Sequence, residues 1–170
     1  MKITINLVGH ILLILLTLFL SNQLIFGQQH WTFLDYVNLL IHEGGHLIFL
    51  PFGEFMNMLG GSLTQILVPC LFFVYFFLKK EFVSAGFIIF WIANNFVSVS
   101  VYMSDAIDMQ LPLVGGEGVI HDWNWLFTRM GLLQQSNSIA SVFYWIGIIG
   151  VLVSLVWMFM FTFFESNKLN

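Results

Sequence analysis

Five apolar runs, each close to the length that crosses a bilayer, constrain this chain more than any other feature: residues 7–26, 33–52, 58–78, 82–103 and 138–164. A hydrocarbon core of ~30 Å takes ~20 helical residues, and inside it the backbone has to satisfy its own hydrogen bonds, so runs of this length are expected to be helices. Charged residues make up 8% of the 170 and apolar ones 59%, too few charges to solvate the outside of a water-soluble domain of this size. The expected architecture is an all-α, polytopic membrane helix bundle: a single integral membrane domain over residues 1–170 with about five transmembrane helices. The connections are short except for residues 104–137, whose Trp123, Trp125, Leu126 and Phe127 are apolar enough for this long loop to re-enter among the helices.

The formal charge of -4 and the lack of any basic run exclude nucleic acid as a partner, because phosphates require clustered Lys and Arg. The bilayer is the expected partner. Lys79, Lys80 and Lys168 fall on one side of it, Lys2 and Arg129 on the other. The positive-inside tendency then places residues 79–81 and the C-terminus in the cytoplasm, with the long loop outside a plasma or inner membrane. The first run follows Lys2 as a signal peptide would, but no small-x-small pattern precedes Gln28-Gln29, so a retained helix is expected. Cys70, alone in an apolar run, reads as a small inert hydrophobe.

Against this background the second run carries an unusual load. On a helix, Asp35, Asn38, His42 and His46 follow one another at spacings of three, four and four, which makes a narrow polar face. Polar groups exposed to lipid cost several kcal/mol, so the stripe has to face the bundle interior. Within it, His42-Glu43-Gly44-Gly45-His46 has the pattern His-Glu-x-x-His. Residues i and i+4 present two imidazoles to one metal ion, expected to be Zn2+, and the Glu beside the first His sits near a metal-bound water as a general base. Asn38 or Asp35 suits a supporting role, holding an imidazole through its other ring nitrogen.

Two imidazoles leave a catalytic zinc site one protein ligand short. If the runs alternate across the membrane, the third ligand comes from Glu54, Asp105, Asp108, Glu117, His121 or Asp122. His121 ranks first, as an imidazole in the apolar stretch that can re-enter, with Asp122 and then Asp105 as alternatives. On the third run Ser62, Gln65 and Pro69 share a face. Gln65 is therefore expected at the same interior, donating to substrate or, more simply, bonding between helices.

A His-Glu-x-x-His motif inside a transmembrane helix of a small all-helical protein resembles the site-2 protease superfamily of intramembrane zinc metalloproteases. The resemblance covers the HEGGH segment and the neighbouring runs, about a third of the chain. It implies zinc on His42 and His46, Glu43 as catalytic base, and hydrolysis of peptide bonds in or near the membrane. That superfamily takes its third ligand from an Asp in Asn-Pro and Leu-Asp-Gly contexts, which this sequence lacks. The expectation is thus a zinc metallopeptidase acting on a membrane-embedded protein or peptide. Two alternatives share the same residues: a metal-stabilised scaffold or partner-binding subunit, and a zinc-dependent lipid amidase or esterase.

Overall fold

The computed structural model describes residues 2–27, 30–114 and 118–167; Gln28, Gln29, Glu117 and Lys168 lie outside the described residues. The described residues form six α-helices: α1 (Lys2–Phe26), α2 (Leu34–Phe49), α3 (Glu54–Leu78), α4 (Phe82–Ser104), α5 (Asp122–Met130) and α6 (Ser136–Asn167). No strand occurs among the described residues. Four helices, α1, α3, α4 and α6, are long and apolar enough to cross a bilayer. The outer faces of α1, α3 and α6 expose large aliphatic side chains such as Leu12, Leu71 and Leu152, which in a bilayer meet lipid. The protein is an all-helical membrane protein.

The second apolar run departs from expectation in length. Its helix has 16 residues, about 24 Å at 1.5 Å per residue, short of the ~30 Å core. The cause is local: Leu50–Phe52 tighten into a 3-10 turn around Pro51, and Gly53 follows at φ 92°, a value that favours glycine. The chain folds back there, and α2 and α3 pair as a helical hairpin. They approach closely because a Cβ on Gly45 would collide with the carbonyl oxygen of Gly60. Just before α2, Thr32 is tied to the helix's first turn: the Asp35 carboxylate accepts from the backbone N–H of Thr32 at 2.7 Å and from its hydroxyl at 2.9 Å.

At the centre of the bundle is α4, which packs on α6 where Gly147 admits Val97 and Gly150 admits Ala93. Leu20, Leu24, Leu34, Phe90, Val97 and Val151 fill the core between α1, α2, α4 and α6. The long loop does turn back into the protein. Trp123, Leu126 and Phe127 of α5 are buried against Val99 and Met103 of α4, and Trp123 Nε1 donates to Ser62 Oγ on α3 at 3.0 Å. A His121 side chain caps the N-terminus of α5, and Gly131 at φ 70° ends it, with the Leu132 N–H on the Phe127 carbonyl. These contacts bring the first turn of α5 beside the HEGGH segment.

Candidate metal centre

The polar stripe of α2 does face inward: Asp35, Asn38 and His42 are 2%, 1% and 8% exposed. His42 and His46 lie one turn apart, with ring centroids separated by 4.9 Å. Each ring is held at Nδ1 by an oxygen. His46 Nδ1 donates to the backbone carbonyl of Asn57 at 2.7 Å, and the Asn57 amide returns a bond to the His46 carbonyl at 2.7 Å. His42 Nδ1 sits 3.2 Å from Gln65 Oε1, whose amide nitrogen donates to Ser98 Oγ at 3.4 Å. With Nδ1 committed as a donor, a neutral imidazole carries its lone pair on Nε2.

Both Nε2 atoms point at the same carboxylate oxygen. Asp122 Oδ2 lies 3.0 Å from His42 Nε2 and 3.3 Å from His46 Nε2. Two nitrogen lone pairs aimed at a carboxylate repel one another unless a cation, whether a proton or a metal ion, sits among them. The three ligand atoms all lie within 4.8 Å of one another. A tetrahedral ion with bonds of ~2.0–2.2 Å separates its ligand atoms by ~3.3 Å, so two imidazoles and a carboxylate this close could hold a metal ion. Burial pushes the Asp122 carboxyl pKa up, but the two imidazoles on it outweigh burial and hold it below its ordinary value.

Beside His42 is a cavity of about 550 Å³ between α2 and α4, walled by Leu39, Val99 and the Leu111–Val114 segment. Asp35, Asn38, His42, Glu43, Ser98 and Tyr102 supply its polar lining, and none of the described residues lining it is Lys or Arg. Glu43 is half-buried and has no hydrogen-bond or ion-pair partner among the described residues. A carboxylate next to two candidate ligands and open to a cavity can accept a proton from a water held there.

The structure brings together His42, His46 and Asp122 with Glu43 beside them; the first-ranked third ligand, His121, stands apart. Its Nδ1 accepts from the Asn124 N–H at 3.2 Å and its Nε2 faces Asp105 at 3.3 Å, so both ring nitrogens are engaged. The physical reason is that His121 and Asp122 are the N-cap and first residue of α5. Capping draws the imidazole back over the helix end, and the next side chain projects toward α2.

Asp105 is occupied with His121 and the backbone N–H groups of Gln110 and Leu111. Glu54 and Asp108 are exposed. Neither Asp35 nor Asn38 holds an imidazole: Asn38 donates to Asp35 at 3.3 Å and to Asn94 at 3.0 Å, and accepts from Trp91 Nε1 at 2.7 Å. The supporting role belongs to Gln65, through a bond between helices.

Two residues without a sequence signal matter here. Asn57 acts through its backbone carbonyl, which no side-chain pattern reveals. Tyr102 has its ring 5.9 Å from that of His42 and 4.3 Å from that of His121, and its hydroxyl accepts from the Asp122 N–H at 3.1 Å. No family model, curated protein or solved structure matches the chain.

Proposed function

We propose that this chain is a zinc-dependent intramembrane hydrolase, most simply a metallopeptidase, in which His42, His46 and Asp122 hold the ion and Glu43 is the general base. The observation that carries this reading is the convergence of two Nε2 atoms on one Asp122 oxygen while each Nδ1 is tied to an oxygen acceptor. Two imidazoles and a carboxylate suit zinc among the common divalent ions. The group has three members among the described residues, the number that leaves a position for reaction, whereas a scaffold site is closed by four protein ligands.

Bound zinc supplies Lewis acidity, polarising a carbonyl and lowering the pKa of water toward ~7. Glu43 takes the proton from the attacking water and passes it to the leaving amine. Gln65 and the Asn57 carbonyl keep the imidazoles in the tautomer that offers Nε2. The apolar walls of the cavity exclude bulk water from the scissile group. With no Lys or Arg among the described lining residues, a lipid phosphate finds no cationic partner there, which favours a peptide over a phospholipid.

The HEGGH motif resembles that of the site-2 protease superfamily and supports the same choice. With the Lys79–Lys80 turn in the cytoplasm of a plasma or inner membrane, the centre at the far end of α4 falls in the outer half. The test is cleavage of a mixture of transmembrane-helix peptides in liposomes, read by mass spectrometry. Zinc-loaded protein is expected to generate new termini and Glu43→Gln, with zinc retained, to generate none. Equal cleavage by both proteins, or none by the wild type, overturns the reading.

A further inference from the structure

Asp105 and His121 have the chemistry of ligands and sit a few residues from one, yet their side chains meet each other. We propose that they form a positioning pair that sets the third ligand, Asp122, and one wall of the cavity at the same time. The inference rests on the metal reading given above.

The bonds run in a chain from one feature to the other. Asp105 stands at the C-terminal cap of α4, where Oδ1 accepts from Gln110 N at 2.8 Å and Oδ2 from Leu111 N at 3.0 Å. These two anchors fix the start of the Leu111–Val114 segment that walls the cavity. The same Oδ2 lies 3.3 Å from His121 Nε2. Because His121 Nδ1 accepts from the Asn124 N–H, the ring proton belongs on Nε2, pointing at Asp105. The next residue is Asp122.

The first turn of α5 is strapped to the end of α4 at two more points, the Asp122 N–H on the Tyr102 hydroxyl and the Asn124 amide on the Ala106 carbonyl at 2.8 Å. The side chains of the pair are 2% and 11% exposed, so water does not readily replace their contact. A shift of α5 by even ~1 Å carries Asp122 Oδ2 out of the geometry that two imidazoles and an ion require.

The blander role for His121 is that of a helix cap alone, and His121→Ser separates the two, since a serine hydroxyl caps a helix but cannot reach Asp105. Zinc affinity is measured by chelator competition on the full chain in detergent for wild type, His121→Ser, Asp105→Asn and the double variant. Exposed Asp108→Asn serves as control, and helix content is checked by circular dichroism. Each single variant is expected to bind one zinc with affinity lowered about 10- to 100-fold, the double variant to be no worse than the weaker single, and the control to match wild type. In the metal-free protein, Asp105→Asn is expected to speed hydrogen exchange at the Gln110 and Leu111 amides.

Wild-type affinity in His121→Ser reduces that residue to a cap and overturns the pair. So do losses that multiply in the double variant, which indicate separate roles. Failure of His121→Ser to reach one zinc at saturation makes His121 itself a ligand and also overturns it. A wild type that takes up no zinc fails the metal reading, and this inference with it.

Discussion

Single residues around the imidazole pair act through a few short contacts, and the glycines of the motif's neighbourhood make this testable. A Cβ on Gly61 would lie 2.5 Å from His42 Nε2, so Gly61→Ala has to displace the ligand ring. Gly44, inside the motif, has open space where a Cβ would go. Zinc titration is expected to show at least a roughly tenfold loss of affinity for Gly61→Ala and no change for Gly44→Ala.

The Asp122 carboxyl, held below its ordinary pKa by the imidazoles, contributes stability that is present above its unfolded value and lost as pH falls through the folded one. Thermal unfolding of metal-free protein in detergent is therefore expected to show wild type losing stability below about pH 4, relative to its value at neutral pH, more steeply than Asp122→Asn. Metal binding needs neutral imidazoles, so any bound zinc is expected to dissociate as pH falls.

At the scale of elements, α2 is the one whose sequence says most and misleads most. Its polar stripe placed Asp35, Asn38 and His42 on an inward face without any structure. The apolar run is longer than the helix because it continues through Leu50–Phe52, where Pro51 and Gly53 turn the chain. The bonds from Thr32 to the Asp35 carboxylate explain Asp35 better than a role beside an imidazole does. Truncating Asp35 strips Thr32 of its carboxylate partner and leaves the Asn38 and Asn94 amides short of an acceptor. Asp35→Ala is expected to cost about 1–3 kcal/mol in reversible unfolding while the protein still binds one zinc.

Helix α5 was not legible. Its nine residues lie in a segment where aromatic and polar side chains alternate without a clean period, and its burial depends on Ser62, Val99 and Met103 from distant helices. Choosing between His121 and Asp122 required knowing which residue caps that helix.

For the whole molecule, the apolar runs sufficed to specify an all-helical membrane bundle, because lipid leaves the backbone no other economical solution. The centre is a different matter. His42 and Asp122 are 80 residues apart, on a hairpin helix and on a segment that turns back from the long loop, and only the packing of α5 on α3 and α4 joins them. A motif can mark two ligands on one helix, but a ligand delivered by tertiary packing leaves no spacing to find.

The most direct measurement is the zinc content of purified protein in detergent, by elemental analysis of wild type, His42→Ala, Asp122→Ala and His121→Ser at saturating zinc. One zinc per chain in wild type and His121→Ser, with essentially none in His42→Ala and Asp122→Ala, is the expected result. A zinc-free wild type, or zinc retained by Asp122→Ala and lost by His121→Ser, contradicts the centre described for His42, His46 and Asp122.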